Sequence, residues 1–246
     1  MMTPRKADSR ERKDLVLGIV VEEYIKTINP VSSANIVEQF PLDLSSATIR
    51  NILAELEEEG YLTHPHTSAG RIPTQSGYRY YVDKLMNQIQ LLEEEKDRIK
   101  AEYRKDVNEL ENLIEKTSAV ISDITEYTSI VSVDGWSDKF FLRGIDRIVQ
   151  YPDSRDVKRI GNILHALEEK ERILHIINRD LVNKVQIYIG HELAFSEMDD
   201  CSMVISSYQT SKGTSGRIAV LGPTRMNYSK VVSALNYFSQ LIKEVR

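Results

Sequence analysis

Residues 45–83 constrain the fold of this 246-residue chain more than any other stretch. The stretch opens with a helix candidate that Ser45 or Ser46 can cap, and Gly60 follows it as a left-handed cap. Its apolar side chains recur at helical spacing, at Ile49, Ile52, Leu53 and Leu56. The loop after Gly60 is rich in hydrogen-bond donors. A buried scaffold does not need so many donors in an ordered loop, whereas a surface that contacts nucleic acid does.

Two shorter helix candidates precede this segment. Apolar spacing predicts a first helix within residues 10–28, ended by Asn29-Pro30, and a second from Ser32 or Ser33 to Phe40. Short β-type runs at 61–63 and 71–73 flank the loop. Three short helices followed by strand, loop and strand form the pattern of a winged helix-turn-helix. The third helix would then enter the major groove of DNA, and the loop would be the wing.

A long helix is predicted next, over residues 75–127. Its apolar positions alternate by three and four, at Leu85, Ile89, Leu92, Ile99, Tyr103, Leu110, Thr117 and Val120. Lys96 and Asp106 interrupt this seam. The pattern fits either self-pairing in an imperfect coiled coil or packing against the helix's own domain.

The last part of the chain changes character. Strands are predicted at 130–133, 184–190, 202–208 and 216–221, with a turn at Lys212-Gly213. Helices are predicted at 155–178 and 228–245. Strands framed by helices predict a small α+β domain, so the whole chain is placed in the α+β class.

Composition narrows the functional class. Hydrophobic residues make up 41% and charged residues 28%, and no apolar run approaches the roughly 20 residues of a membrane span. Cys201 is the single cysteine, which excludes an intrachain disulfide. These points favour the cytoplasm. The net charge of −5 argues mildly against nucleic-acid binding, but local charge decides, and the N-terminus is basic at Arg5, Lys6, Arg10, Arg12 and Lys13.

Enzyme chemistry finds little support. The sequence has no Gly-x-Ser-x-Gly elbow, no His-Glu-x-x-His pair and no phosphate-binding Gly-rich loop. His64 and His66 lack further ligands nearby, so a metal site is not predicted. We therefore expect a non-enzyme without a cofactor. The loop at 222–230 could bind an anion, but a strand-to-helix corner with Arg225 bonded internally is the preferred interpretation.

The predicted third helix carries the main candidates for DNA contact. Arg50 can pair with guanine and Asn51 with adenine, and Thr48 lies beside them. Ser45 and Ser46 suit phosphate contact at a helix N-terminus. The alternatives are simple capping for the serines, and for Arg50 an ion pair with Glu57 or Asp43.

The loop and the start of the next helix supply the remaining candidates: His66, Thr67, Ser68, Arg71 and Arg79. Ala69-Gly70 would let the backbone approach DNA closely. The alternatives are a salt bridge across the hairpin for Arg71 and a structural role for His66. Tyr78, Tyr80 and Tyr81 are expected to lock the long helix against the winged domain, while Arg79 contacts phosphate.

Five segments resemble the HrcA family of bacterial heat-inducible transcription repressors. They are residues 47–51 (ATIRN), 55–62 (ELEEEGYL), 65–74 (PHTSAGRIPT), 77–83 (GYRYYVD) and 222–230 (GPTRMNYSK). The resemblance implies a repressor of chaperone operons of the groE and dnaK type, which binds the inverted-repeat operator CIRCE as a homodimer. It also implies the chaperonin GroEL as a modulator, and a winged helix followed by a GAF-like domain that holds an inserted dimerisation domain.

The chain departs from the family pattern in three places. Ser32 stands where glycine is usual, and Ile52 where an acid is usual. After 127–131 the chain passes almost directly to 141–145, so most of the inserted dimerisation domain is expected to be missing. The expected domains are a DNA-binding domain at 1–83, a linking helix at 84–127 and a reduced GAF-like domain at 128–246.

Two other functions remain open. The C-terminal domain could sense a small ligand, or the chain could be a DNA-independent interaction protein that uses only the long helix.

Overall fold

The computed structural model describes residues 4–65, 70–87, 91–103, 110–136, 140–149, 157–179 and 184–244. The chain divides into two compact units, Met1–Asn87 and Gln88–Arg246. Both units mix helix and sheet, which confirms the α+β class. Within the described ranges, no helix is both long and apolar enough to cross a bilayer.

Over its described residues, the first unit contains four α-helices and a two-stranded antiparallel hairpin. They are α1 (Pro4–Thr27), α2 (Ser33–Gln39), α3 (Ser46–Glu58), β1 (Leu62–Thr63), β2 (Ile72–Pro73) and α4 (Gln75–Tyr80), which continues as a π-helical turn (Tyr81–Leu85). The predicted positions of α2, α3 and the hairpin are confirmed. The fully buried side chains of this unit come from every helix, including Val20, Ile36, Ile49, Leu56 and Tyr78.

Side-chain caps set the helix boundaries. Ser32, Ser45 and Thr74 accept hydrogen bonds from the backbone N–H groups of Asn35, Thr48 and Gly77. Gly60 ends α3 with φ +80°, and the N–H groups of Gly60 and Tyr61 donate to the carbonyls of Glu57 and Leu56. This is a Schellman motif, which satisfies two carbonyls that a helix end otherwise leaves free.

The hairpin is fastened to the segment between α1 and α2. Val31 and Arg71 exchange two backbone hydrogen bonds of 2.9 and 2.8 Å. A Cβ on Gly70 would lie 2.5 Å from the Val31 carbonyl carbon. The Gly70 backbone therefore approaches protein at Val31, which corrects the interpretation that its freedom serves contact with DNA.

The predicted single helix over 75–127 is wrong. Met86 adopts an extended backbone that ends the π-helical turn, and helix resumes only in α5 (Glu93–Tyr103) and α6 (Leu110–Thr125). Positions 88–90 and 104–109 lie outside the described residues. Leu92 of the expected seam is 68% exposed, whereas Ile114, Thr117 and Ile121 of α6 are fully buried. The heptad pattern was interpreted either as a coiled coil or as packing against the helix's own domain. α6 agrees with packing against its own domain, because it packs on the sheet of its own unit.

The second unit is built on a five-stranded antiparallel sheet. Its strands are β3 (Thr128–Val133), β4 (Phe140–Arg143), β5 (Val185–Ile189), β6 (Cys201–Gln209) and β7 (Ser215–Pro223), in the order β4-β3-β7-β6-β5. In the register, Ile205 lies opposite Ala219. Four of these strands were predicted, but β4 was missed.

Helices cover both faces of this sheet. α6 and α10 (Tyr228–Glu244) pack on one face. On the other face, α7 (Asp146–Val149), α8 (Val157–Glu168) and α9 (Lys170–Ile177) bury a cluster that includes Met203, Ile205 and Leu221. The helix predicted at 155–178 is two helices, because Glu169 leaves helical geometry with ψ 71°.

Candidate nucleic-acid interface

The two sides of α3 differ sharply in burial. Ile49, Ile52, Leu53 and Leu56 are buried, and Ile52, at the position where the family usually has an acid, is only 7% exposed. The opposite side exposes Ala47, Arg50, Asn51 and Ala54, at intervals of three or four residues. Two small side chains thus flank the two candidate base contacts, so another surface can approach the helix closely.

Arg50 and Asn51 are both exposed on the surface of α3. Within the described part of the chain, neither side chain takes part in a hydrogen bond or an ion pair. The alternative of an ion pair from Arg50 to Glu57 is not realised, because Glu57 is engaged by other residues. Both side chains keep their hydrogen-bonding groups available for an external ligand.

The N-termini of α2 and α3 lie side by side. Ser45 caps α3 by accepting a 3.1 Å hydrogen bond from the Thr48 N–H, and its hydroxyl lies 2.9 Å from that of Thr48. The Ser46 hydroxyl donates to the Ser33 hydroxyl at 3.4 Å. Since helix N-termini carry unpaired N–H groups and partial positive charge, this pair of ends suits an anion such as phosphate.

The acidic second half of α3 is covered by cations from α1. Lys13 Nζ lies 2.7 Å from carboxylate oxygens of both Glu55 and Glu59. Arg10 lies 3.5 Å from Glu59 and 3.2 Å from Asp14. The basic residues expected to strengthen DNA binding at the N-terminus are therefore, at Arg10 and Lys13, used inside the unit.

Arg71 and His64 meet a single carboxylate. Arg71 Nη2 lies 2.7 Å from Glu57 Oε2, and His64 Nδ1 contacts Glu57 Oε1. Burial, the strongest single influence on the pKa of Glu57, raises it, but His64 and Arg71 together lower that pKa below its ordinary value. The salt bridge weighed for Arg71 thus exists, although it joins the hairpin to α3 and does not cross the hairpin.

The aromatic cluster at the end of this unit is structural. Tyr78 and Tyr81 are buried, and Tyr80 bonds Arg10 at 3.2 Å and Asp14 at 3.0 Å. Arg79 pairs with Asp83 at 3.3 Å and remains partly exposed. The tyrosines therefore bind α4 to α1.

Three candidates, His66, Thr67 and Ser68, lie outside the described residues together with Ala69. The hairpin base on either side of them is described at Pro65 and Gly70.

The segment 222–230 is a strand-to-helix corner. Arg225 is 8% exposed, Tyr228 is fully buried, and Asn227 caps α10 through the Lys230 N–H at 3.1 Å. The Asn227 N–H donates to the Tyr127 hydroxyl at 3.1 Å. This arrangement agrees with the internal role preferred for the segment.

From the sequence, Glu57 was considered only as a partner of Arg50, and Ser33 only as the start of α2. The contacts of Glu57 with the hairpin and of Ser33 with Ser46 were missed. The spacing of seven residues does place Glu57 on nearly the same side of α3 as Arg50. No sequence signal indicated the contact of Ser33, because its proximity to Ser46 depends on the turn between α2 and α3.

Comparison with known proteins identifies the family. Residues 92–232 match the model described as the HrcA protein C-terminal domain. A protein of Acetivibrio thermocellus named "Heat-inducible transcription repressor HrcA" is 30% identical, covering 95% of each chain, and its namesake from Carboxydothermus hydrogenoformans is 29% identical over 96% of this chain and 97% of the relative.

Those alignments span 334 and 333 positions, more than the 246 residues of this chain, so each relative has residues without a counterpart here. The fold is similar to the crystal structure of a hypothetical protein, with a TM-score of 0.72, 17% identity and coverage of 95% of this chain and 97% of the other. The family model covers more than half of the chain, and the protein therefore belongs to the HrcA family.

Proposed function

We propose that this protein is a sequence-specific transcription repressor that binds double-stranded DNA. The observation that carries the proposal is that Arg50 and Asn51 on α3 are exposed and have no partner among the residues that the structure describes. Membership of a family whose relatives are named heat-inducible transcription repressors supports it.

The first unit acts in this proposal as a winged helix-turn-helix over residues 1–83. Three helices, the hairpin and the Val31–Arg71 backbone pair support that assignment. α3 enters the major groove, which accepts one helix, and the tip of the hairpin is the wing. His66, Thr67 and Ser68 at that tip are proposed phosphate or minor-groove contacts.

Each group has a defined task in the bound state. The Arg50 guanidinium donates to the O6 and N7 atoms of guanine, and the Asn51 amide pairs with the N6 and N7 atoms of adenine, each contact contributing about 1–3 kcal/mol of discrimination. Ser45, Ser46 and Thr48 place the α3 N-terminus against a phosphate. Arg71 and Arg79, which are both partly exposed, add phosphate contacts in this proposal.

The second unit joins two such heads into a homodimer. The inverted-repeat operator CIRCE, upstream of chaperone operons of the groE and dnaK type, is the proposed target, and GroEL the proposed modulator. In this proposal α5 and α6 belong to a reduced GAF-like domain with residues 128–246, since α6 packs on its sheet. Two half-sites about 34 Å apart, or a multiple of that distance, would match the two-fold symmetry of the dimer. Sedimentation equilibrium of the full chain tests the dimer.

The decisive experiment measures operator discrimination by fluorescence anisotropy. Full-length protein is titrated against a duplex that carries the inverted repeat and against a scrambled duplex of equal composition. Arg50→Ala is expected to reduce the preference for the inverted repeat about tenfold or more, because a bidentate base contact is lost. Arg98→Ala is the matched control, since it removes an equally exposed arginine from α5 in the other unit.

Equal affinity of the unmodified protein for both duplexes at low ionic strength would overturn the proposed function. A preference that survives Arg50→Ala would remove Arg50 from the base-contacting role.

A second candidate function, ligand sensing, is favoured by a polar cavity of about 460 Å³ in the second unit. Lys184, Arg217 and Lys243 line it together with Asp134, Ser206 and Ser239. The excess of cations fits a small anion. A rise in the thermal unfolding temperature with inorganic phosphate or citrate, abolished by Lys243→Ala, would support this function, and no rise would count against it.

A further inference from the structure

Glu57 occupies a position in the first unit that the base and phosphate contacts do not use. It lies on α3 and is 25% exposed, and both of its carboxylate oxygens are engaged by residues from the hairpin. His64 directly follows β1 and Arg71 directly precedes β2, so one side chain joins both legs of the hairpin base. An acid of this kind does not act as an isolated solvated charge.

The contact of Glu57 with the hairpin lies close to the candidate base contact Arg50. Seven residues separate them, which is nearly two helical turns, so Glu57 lies on almost the same side of α3 about 10 Å further along the axis. The hairpin base is consequently attached beside the row that presents Arg50.

The hairpin is also attached to the segment between α1 and α2. The paired backbone hydrogen bonds of Val31 and Arg71 hold β2 to the segment between α1 and α2. Gly70 allows a close approach there that a side chain would block. The base of the hairpin is also held by the buried Leu62 and by the 3.0 Å hydrogen bond from the Thr74 N–H to the Tyr61 carbonyl. The Glu57 carboxylate adds a side-chain contact that joins α3 to both legs of the hairpin.

We propose that Glu57 is a positioning residue, which sets the hairpin against α3 so that wing and helix engage the same stretch of duplex together. The proposal rests on the proposed DNA-binding function. Glu57 itself does not touch DNA, and it contributes to discrimination through His64 and Arg71.

A positioning role for Glu57 can be distinguished from a direct effect of its negative charge on DNA binding. Removing an acid near DNA weakens repulsion and would raise the affinity for every duplex alike. Loss of a positioning contact instead lowers the affinity for the operator while the affinity for scrambled DNA stays level or rises. The ratio of the two affinities therefore separates the mechanisms.

The test compares Glu57→Gln and Glu57→Ala with Glu58→Gln in the full chain. Glu58 is the exposed neighbour on the same helix, and within the described residues it has no ion pair. Its replacement changes the net charge by the same amount as Glu57→Gln. We expect Glu57→Ala to reduce discrimination about tenfold, the equivalent of one charged hydrogen bond. Glu58→Gln should shift both affinities equally.

His64→Gln provides an internal check. If Glu57 acts through its hairpin partners, the double variant with Glu57→Ala should lose no more discrimination than Glu57→Ala alone. All measurements are made well below the unfolding temperature of each variant, so that a loss of stability does not imitate a loss of discrimination.

Unchanged discrimination in folded Glu57→Ala would overturn the proposal. If the unmodified protein itself shows no discrimination, the proposed function fails, and the hairpin contact is then judged by amide hydrogen exchange. Faster exchange at Thr63 and Ile72 in Glu57→Ala than in Glu58→Gln would retain the positioning contact, and equal exchange would remove it.

Discussion

The two halves of α3 differ in what their charged side chains contact. In the first half, Arg50 and Asn51 are exposed and have no partner among the described residues. In the second half, Glu55 and Glu57 are paired with residues from α1 or the hairpin, as is Glu59 directly after the helix, whereas the exposed Glu58 has no ion pair among the described residues. A helix that must meet a polyanion can tolerate an acidic end when the rest of its domain neutralises that end. Pairing, more than residue type, distinguishes the half that meets an external ligand from the half that holds the unit together.

Reversing a charge in the first half should produce the largest effect. Arg50→Glu is expected to weaken operator binding at least about 100-fold, because a base contact becomes a repulsion. Its free energy of unfolding should change by no more than about 0.5 kcal/mol, since the Arg50 side chain is exposed and has no partner in the described ranges. Anisotropy and urea denaturation measure the two quantities. A large loss of stability in Arg50→Glu with unchanged operator binding would contradict the comparison, because the first half of α3 would then stabilise the unit and not contact DNA.

A substitution at Gly60, which terminates α3, should change the free energy of unfolding and leave DNA binding unchanged. Gly60→Ala is expected to cost about 1 kcal/mol, because φ +80° strains any residue with a Cβ, although no atom would clash with it. Gly18→Ala in α1 is the matched control. It also has open space around the added Cβ but helical geometry, so it should stabilise by about 0.5–1 kcal/mol.

Urea denaturation should show a loss of stability in Gly60→Ala and a gain in Gly18→Ala. The affinity for the operator should be unchanged in both glycine variants. Weaker operator binding by folded Gly60→Ala would show that the second half also contacts DNA.

Removing the cation that pairs with Glu55 and Glu59 should lower the affinity for DNA without changing the preference for the operator over the scrambled duplex. Lys13→Ala leaves Glu55 and Glu59 with less compensation, so affinity for operator and scrambled duplex should fall by the same factor. Because the carboxylates are partly exposed, the loss of stability should stay within about 1 kcal/mol. Lys26→Ala, which removes an exposed cation paired only locally with Glu23, is the control.

The difference between these two lysine variants should fade as salt is raised from 50 to 200 mM, as screening requires. A difference independent of salt would mean that Lys13 acts by packing.

The smallest expected effect is the acid dependence of stability in the second half. The pKa of Glu57 is lowered in the folded protein, so its paired, ionised form stabilises above its ordinary pKa of 4.5. That contribution is lost as the pH falls through the lower folded value. Thermal unfolding below pH 4.5 should therefore decline less steeply in Glu57→Gln than in the unmodified chain. Parallel curves would contradict the pairing.

Local signals in the sequence were sufficient for much of the first unit. Helical spacing with Ser45 and Gly60 at the ends located α3 to within a residue, because caps and apolar periodicity act over a few neighbours. The same reasoning failed for the long helix. A heptad pattern continues through residues 86–92, but the extended backbone at Met86 and the burial of α6 on a distant sheet oppose it.

Strand β4 was missed for a related reason. Phe140–Arg143 is four residues long and gains its partners from β3, so no signal in its own residues distinguishes it from a loop.

The sequence by itself determined the α+β class, the positions of α2, α3 and the hairpin, the base-contacting candidates on α3 and the family resemblance. Each of these depends on residue type and spacing over short distances. Only the tertiary structure decided which charges are available. Lys13 meets Glu55 and Glu59 from more than 40 residues away, and Arg71 reaches from the hairpin to Glu57 on α3. Ion pairing depends on the distance between atoms in space, and the order of residues along a chain does not contain that distance.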